Sequence, residues 1–457
     1  MVKKLIVIFV LGAVVRCLIL FIGLEAGGER FILNYGDAAG YTRLAQNMFL
    51  GHGFSMSRES PFIPDGTRTP IYPGFLASSL FLSGNFWLAI AFQIVLGSLI
   101  PILAYFLLQK LKFIHPIPLG VAIFFSIEPF FAAHGVFLLS EVIFISIFLL
   151  TCIFYFKSIY ASDIVWKWIV LAAFFTGLSA LTRPIGFYLI FIFAAGIFLF
   201  QFKQWRKSLL AAAIFSLVGF ATISPWLYRN WQVFGSATLS SIDSINLYLQ
   251  QGGSVLANYN NTTLDIEKKK LWDELKSDGL DYKNIGDAKE IKKRAWVIIS
   301  SHPAAFLKVN SLAAWQFFTH DAYYDLAWHL GFYHERNSPP ITILDFKNSI
   351  FKIPKLLAEE PLFIIYLLGR ALWVLIFFSF LAGIYLAFKK RLNVKREVFL
   401  ISIIIYFLAA SVTTGYSINA RFRLPIAVFY VTYASLALQY FYQNLKRRSA
   451  ITHNFEL

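Results

Sequence analysis

The sequence predicts an all-α polytopic membrane protein with a bundle of about ten transmembrane helices. Apolar residues make up 58% of the 457 positions and charged residues only 14%, whereas soluble globular proteins carry about 25% charged residues. So few charges cannot cover a water-soluble surface, which excludes secreted and nucleic-acid-binding proteins. The net charge of +16 is instead typical of loops rich in Lys and Arg on the cytoplasmic side of a membrane.

Ten apolar runs approach the length that crosses a bilayer. Because several are short, we expect between eight and twelve transmembrane helices. The first run follows Met-Val-Lys-Lys and is not followed by a clear small-residue cleavage site, so it is interpreted as a retained helix rather than a signal peptide. The runs cover residues 5–24, 86–108, 117–133, 137–156, 168–182, 187–202, 209–228, 362–388, 398–413 and 424–441.

The charges of the short loops predict the orientation. Loops on one side hold most of the Lys and Arg, whereas the other side's short loops carry only Arg183, Arg421 and Arg423. Positive loops stay in the cytoplasm, so both termini are expected there, in a multi-pass protein of the cytoplasmic (inner) membrane. Three parts are predicted: an N-terminal transmembrane module (1–228) with an outer loop (25–85), a mixed outer-face segment (229–361), and C-terminal transmembrane helices (362–457).

The outer loop begins with a predicted amphipathic helix. Tyr41, Leu44, Ala45 and Met48 recur at helical spacing, which is typical of a helix lying at a membrane interface. Asp37 stands directly before it. A carboxylate in that position usually caps the helix, so capping and catalysis are both open interpretations of Asp37 at this point.

Further along this loop, Arg68 precedes two prolines, Pro70 and Pro73. The prolines predict the start of a second helix. Arg68 could anchor the loop at the interface by extending its charge into water. Arg16 and Glu128 lie within apolar runs, where a charge is costly and needs a partner.

Several motifs follow one another in a fixed order along the chain. They are Asp37, Arg68-Thr-Pro-Ile-Tyr-Pro73, Leu139-Ser-Glu141, Leu181-Thr-Arg183-Pro184, Ser224-Pro-Trp226, Ser301-His-Pro303 and Ala420-Arg421-Phe-Arg423-Leu-Pro425. This ordered set resembles the GT-C superfamily of membrane glycosyltransferases, and the nearest branch resembles the protein O-mannosyltransferases and the lipid A aminoarabinose transferase. Many relatives carry a second acidic residue directly after the first Asp, where this chain has Ala38.

The resemblance implies a GT-C-type bundle whose active site faces outward and whose donor is a polyprenyl-phosphate sugar. Its acceptor would be a glycan, lipid or protein of the cell envelope. Asp37 matches the family's catalytic aspartate and would act as general base, with inversion at the anomeric carbon.

The donor phosphate would be bound by arginines, whose planar fork matches phosphate oxygens. The predicted phosphate-binding residues are Arg68, Arg421, Arg423 and Arg183, and the predicted substrate-binding residues are Tyr41 and Glu141. Arg421 and Arg423 are two residues apart and would point to different faces of a helix, so we expect only one of them to touch phosphate.

Two alternatives and one further signal remain. A polyprenyl-linked glycan flippase or transporter, or a glycan polymerase, would also suit a polytopic chain with polar outer loops.

The stretch from His320 to Glu335 is rich in possible metal ligands, and on a helix Asp321, Asp325 and His329 would share one face. The simpler interpretation is a solvated face of the outer segment, so no cofactor is required and no metal site is predicted.

Overall fold

The computed structural model describes residues 2–33, 36–332, 353–359 and 363–453. Over these ranges the chain is helical and contains no β-strand. The fold class predicted from composition and apolar runs is therefore confirmed. Each of the ten predicted runs overlaps one helix or two consecutive helices.

The first half of the chain forms eleven helices. Among these, α8 packs between α5 and α9, and α9 in turn packs on α11. The helices are α1 (Val2–Gly27), α2 (Arg30–Leu33), α3 (Ala38–Phe49), α4 (Ile71–Ser83), α5 (Trp87–Lys110), α6 (Ile117–Ile127), α7 (Pro129–Ala133), α8 (Glu141–Ile159), α9 (Trp166–Thr182), α10 (Leu189–Gln201) and α11 (Trp205–Phe234).

The run at 117–133 is split into α6 and α7. Pro129 lacks an amide hydrogen and disfavours a helical backbone in the residue before it, and Glu128 is accordingly extended (φ −61°, ψ 116°). The Glu128 carboxylate accepts hydrogen bonds from the Phe131 amide (2.6 Å) and the Tyr323 hydroxyl (2.8 Å). Buried Arg16 donates to the Gly12 carbonyl oxygen (2.9 Å) and lies over the Phe131 ring.

A large polar segment follows α11 and contributes shorter helices. Two charged stretches of this segment form its longer amphipathic helices, α14 and α15. Leu271, Leu275, Ile291 and Ala295 form the small core between them. The helices are α12 (Ile242–Ile245), a π-helix (Asn246–Gly252), α13 (Gly253–Tyr259), α14 (Leu264–Ser277), α15 (Ala288–Ser301), α16 (Pro303–Thr319), α17 (Tyr323–His329) and α18 (Ile353–Glu359).

The C-terminal part returns to long apolar helices. A 3-10 helix, Ala420–Ile426, precedes the last of them and carries two of the predicted site arginines. The helices are α19 (Phe363–Lys389), α20 (Val394–Val412) and α21 (Ala427–His453). Six helical stretches of the described chain are long and apolar enough to cross a membrane, and one of these, Pro184–Phe234, contains both α10 and α11. Together they establish a multi-pass membrane protein.

The large polar segment binds the loop before α4. The Gly66 amide donates to the Lys283 carbonyl oxygen (3.0 Å), and the Ser241 amide donates to the Gly66 carbonyl oxygen (2.9 Å). A Cβ atom at Gly66 would lie 2.6 Å from the Lys283 oxygen, so this approach requires glycine. These bonds fix the loop two residues before Arg68.

The same segment binds the turn that leads into the 420–426 helix. The Ser254 hydroxyl accepts from the Tyr416 amide (3.0 Å), and Ser417 donates to the Gln250 side-chain oxygen (2.6 Å). The polar segment thus holds two loops that are far apart in sequence, and each of them carries an arginine of the site.

Candidate active site

Asp37 lies immediately before α3, but its side chain makes no capping hydrogen bond to that helix. Its carboxylate contacts two arginines instead. Oδ1 is 2.8 Å from Nη2 of Arg68, and Oδ2 is 2.8 Å from Nη2 of Arg421. About one-third of the Asp37 side chain (32%) is exposed. Of the two interpretations of this residue, capping is therefore wrong for this structure, and the carboxylate is available to a site.

Arg68 is positioned by a turn that sequence reasoning missed. Oδ1 of the fully buried Asp65 accepts hydrogen bonds from the amides of Thr67 and Arg68, both at 3.0 Å. A short carboxylate that accepts from the backbone two or three residues ahead is a standard way to fix a turn. The Asp65-Gly-Thr-Arg68 sequence was the available signal, since Asp-Gly is typical of turns.

The ring of Tyr41 packs against the Arg68 guanidinium. The Arg68 guanidinium lies over the Tyr41 ring, 5.1 Å from its centroid. The Tyr41 hydroxyl is 3.2 Å from the hydroxyl of Ser140, the residue before α8. Tyr41 is only 7% exposed, and besides an edge-on contact with the Tyr72 ring it contacts Arg68 and Ser140. Through them it connects α3 to the start of α8.

Arg421 lies at the centre of an ion-pair cluster formed by Asp37, Arg68, Glu141, Arg183 and Arg421. Asn419 accepts from the Arg421 amide (3.0 Å) and so caps the 3-10 helix at the point where Arg421 leaves it. Arg421 contacts Asp37 through Nη2, while its Nε lies 3.2 Å from Oε1 of Glu141. One guanidinium thus bridges two carboxylates that come from different helices.

Glu141 and Arg183 complete the cluster. Glu141 is the first residue of α8 and is 1% exposed. Arg183 follows the end of α9, where Pro184 starts a short 3-10 helix, and its Nη1 is 2.6 Å from Oε1 of Glu141. A buried carboxylate needs cationic partners to stay charged, and Glu141 has two.

Arg423 is directed away from this cluster. Its Nη1 donates to the Phe317 carbonyl oxygen (2.7 Å) and its Nη2 to the His320 carbonyl oxygen (2.8 Å). The guanidinium lies 3.8 Å from the centroid of the Trp373 ring, and the residue is 2% exposed. The expectation that Arg421 and Arg423 would face different ways is met, and it is Arg421 that contacts Asp37.

The arginines control the charge of Asp37. Burial would raise its pKa, but the nearby Arg68 and Arg421 guanidiniums outweigh burial and hold the pKa of the Asp37 carboxyl well below its usual range. Burial likewise opposes the charge of Arg68, and Asp37 overcomes it, so the pKa of Arg68 is raised. Asp37 is therefore an ionised carboxylate at neutral pH.

The residues considered as metal ligands are arranged differently from the expectation. Asp321 precedes α17 rather than lying on it, is 1% exposed, and pairs with Arg370 at 3.2 Å. A solvated face was therefore the wrong interpretation for Asp321. His334 and Glu335 lie outside the described residues. Within the part of the chain that the structure describes, no three His, Cys, Asp or Glu side chains are grouped to hold a metal ion.

Two kinds of comparison relate this chain to known proteins. The model of the dolichyl-phosphate-mannose-protein mannosyltransferase family matches residues 75–240. This range contains Glu141 and Arg183, whereas Asp37, Arg68 and Arg421 lie outside it. No curated protein sequence matches the chain significantly.

The fold is similar to that of an archaeal oligosaccharyltransferase from Archaeoglobus fulgidus. Its complex with an inhibitory peptide and a dolichol-phosphate has a TM-score of 0.52 at 15% identity, over 98% of this chain and 52% of the other. Its form tethered to an acceptor peptide containing an NVT sequon has a TM-score of 0.51 at 15% identity, over 98% and 50%.

This chain spans about half the length of that oligosaccharyltransferase. At 15% identity, the TM-scores of 0.51 and 0.52 show a common fold alone, and this fold extends over nearly all of the chain. The predicted resemblance is thereby confirmed: the chain shares the fold of this oligosaccharyltransferase and, over residues 75–240, matches the model of the dolichyl-phosphate-mannose-protein mannosyltransferase family.

Proposed function

We propose that the chain is a glycosyltransferase that moves a sugar from a polyprenyl-phosphate donor to an acceptor of the cell envelope. The reaction takes place at the outer face of the membrane and inverts the anomeric carbon. The observation that carries the proposal is the ion-pair cluster in which Asp37 lies between Arg68 and Arg421. It supplies a base and phosphate-binding cations at one end of an apolar bundle.

The charge of the cluster suits a phosphodiester. Within the described chain, the cluster comprises three guanidiniums (Arg68, Arg183, Arg421) and two carboxylates (Asp37, Glu141). One positive charge is therefore left without a carboxylate. A polyprenyl-phosphate sugar carries one negative charge, and a diphosphate-linked sugar carries at least two. We infer that the site takes the monophosphate.

The reaction then needs one base and one stabilised leaving group. The oxygen of the acceptor hydroxyl attacks the anomeric carbon, and the hydroxyl proton passes to the Asp37 carboxylate. The bond between the anomeric carbon and the phosphate oxygen breaks, so polyprenyl phosphate leaves with the electron pair. Arg68 and Arg421 stabilise the negative charge that grows on this oxygen. Attack from the face opposite the leaving group inverts the sugar.

A transporter is less compatible with this arrangement. Transporters bind substrate near the membrane midplane, whereas the cluster gathers at helix ends: Asp37 before α3, Glu141 at the start of α8 and Arg183 after α9. Arg421 likewise precedes the last long helix. This arrangement favours a lipid-borne substrate whose head group sits at the membrane surface.

The test uses purified protein in lipid nanodiscs with labelled polyprenyl-phosphate sugars and candidate acceptors. We expect transfer by the unchanged protein and a loss of about 10²- to 10⁴-fold in Asp37→Asn, the range for removing a general base. The control is Asp163→Asn, whose carboxylate is half exposed and pairs with Lys207. Equal transfer by Asp37→Asn and by the control would contradict the proposed base. In sealed proteoliposomes, movement of lipid-linked sugar between leaflets without transfer would support a flippase.

A further inference from the structure

The base and the phosphate-binding cations of this site are bonded to each other. Both oxygens of the Asp37 carboxylate are paired at 2.8 Å, one with Arg68 and one with Arg421. A carboxylate held by two charge-assisted hydrogen bonds is a weak proton acceptor. A donor phosphate bound by the same guanidiniums would compete with Asp37 for them.

We propose that the donor phosphate displaces Asp37 from Arg68 and Arg421, so that the base is released only when donor is bound. This inference rests on the proposed function and adds an order of events to it. Donor binds first, its phosphate oxygens replace the Asp37 carboxylate oxygens on the two Nη2 groups, and the freed carboxylate then accepts the hydrogen of the acceptor hydroxyl.

Arg421 can make this exchange without losing its position. It contacts Asp37 through Nη2 and Glu141 through Nε, which are different atoms of the guanidinium. Glu141 is buried and is also held by Arg183. When phosphate takes the Nη2 group, Glu141 keeps its ion pair with the Nε side at 3.2 Å, a contact without hydrogen-bond geometry. Glu141 is thus a positioning residue that keeps Arg421 at the phosphate while Asp37 separates from it.

Arg68 also has capacity for a second acceptor. Its Nη2 donates to Asp37, and within the described residues its buried Nε has no hydrogen-bond partner. The Tyr41 ring supports the guanidinium from one side. The Arg68 side chain as a whole is 18% exposed, so a phosphate can approach the guanidinium from its exposed side before the bond to Asp37 breaks.

The exchange predicts opposite effects for two variants that remove the same charge. Asp37→Asn removes the competitor for the arginines, so polyprenyl phosphate without a sugar should bind about tenfold more tightly, equivalent to about 1.4 kcal/mol. Glu141→Gln removes the residue that positions Arg421, so the same ligand should bind several-fold more weakly. Dissociation constants would be measured in nanodiscs by displacement of labelled polyprenyl phosphate.

Asp163→Asn supplies the control for lost negative charge, because the Asp163 carboxylate is half exposed and pairs with Lys207, outside the site. Its affinity should equal that of the unchanged protein. Equal or weaker binding by Asp37→Asn would overturn the exchange. So would equal tightening in all three variants, since that would show a general effect of lost negative charge. If Glu141→Gln does not fold, the comparison with Asp163→Asn still decides between these outcomes.

The failure of this inference is distinguishable from the failure of the proposed function. Arg421→Ala should bind polyprenyl phosphate at least tenfold more weakly than the unchanged protein. If the unchanged protein does not bind it, or binds it no better than Arg421→Ala, the proposed donor site itself is contradicted. If that difference is present and Asp37→Asn is not tighter, only the exchange is contradicted.

Discussion

Arg421 and Arg423 lie two residues apart on one 3-10 helix and contact different parts of the protein. Arg421 pairs with Asp37 at 2.8 Å, whereas Arg423 donates to two backbone carbonyl oxygens and stacks on Trp373. One arginine is available to a ligand and the other fixes the helix that carries it. The two should therefore respond differently to the same substitution.

We expect Arg421→Lys to lower transfer by about 10²-fold, because one ammonium cannot bridge Asp37 and Glu141 and also bind phosphate as a planar fork does. Arg423→Lys should mainly lower stability, by about 1–3 kcal/mol, since buried carbonyl oxygens lose their donors. Steady-state kinetics and thermal unfolding of both variants would measure this. An increased donor KM with unchanged stability in Arg423→Lys would instead place Arg423 at the phosphate.

Several charged members of the site could be recognised from the sequence because Glu141 lies within an apolar run and Arg183 and Arg421 lie beside the ends of two others. Charges there are costly and need a reason, whereas Asp37 was recognised from its place before the amphipathic helix and from the family resemblance. All four lie in one cluster. The same reasoning identified the ten apolar helices, since hydrophobic length is a local property of the chain.

Other features depend on geometry that the sequence does not contain. Residues two apart differ by about 200° around an α-helix and by about 240° around a 3-10 helix, and neither value says which residue meets Asp37. The tertiary contact between Gly66 and Lys283 joins distant parts of the chain. Asp65 was overlooked because its role is to hold two backbone amides, and a turn-forming Asp is not conspicuous beside Arg68.

Gly36 offers a test of how closely Arg421 must approach Asp37. Its φ is +54°, and a Cβ atom there would lie 2.9 Å from Nη1 of Arg421. We expect Gly36→Ala to displace Arg421 and lower transfer at least tenfold, although every charged residue is retained. Initial rates at saturating acceptor, together with binding of polyprenyl phosphate, would measure the effect.

Gly51 is the matched control for Gly36. It also has a positive φ, +78°, but no atom lies within 4 Å of a Cβ atom built there. Gly51→Ala therefore imposes similar backbone strain without contact with the site, and transfer should stay within about twofold. If both variants lose activity equally, strain in the loop and not displacement of Arg421 explains the loss.

Asp65 should act through its oxygen atom and not through its charge. Burial raises the pKa of the Asp65 carboxyl, against the opposing hydrogen bonds from Thr67 and Arg68, so a neutral side chain is tolerated there. We expect Asp65→Asn to retain transfer within about threefold, because an amide oxygen can accept from the same amides. Asp65→Ala should raise the donor KM several-fold by releasing the turn before Arg68. Equal KM values in the two variants would show that the turn does not position Arg68.

The pH dependence of transfer should differ between donor-free and donor-bound enzyme. In the donor-free protein Arg68 and Arg421 hold the Asp37 pKa below its usual range despite the opposing effect of burial. For a carboxyl with a lowered pKa, the charged form persists as the pH falls, and its ion pairs stabilise the fold until the pH drops through that lowered value. Since kcat/KM for the donor reports free enzyme, protonation of Asp37 should not reduce it above about pH 4.

Once donor phosphate has taken the two arginines, burial still acts on Asp37 but its cationic partners are engaged elsewhere. The pKa should rise, so the acid limb of kcat, which reports the bound complex, should lie at higher pH than that of kcat/KM. Profiles of kcat and of kcat/KM, measured side by side from pH 4 to 8, would show this separation. Coincident acid limbs would mean that Asp37 keeps its arginines while donor is bound, and that the carboxylate and the phosphate share them.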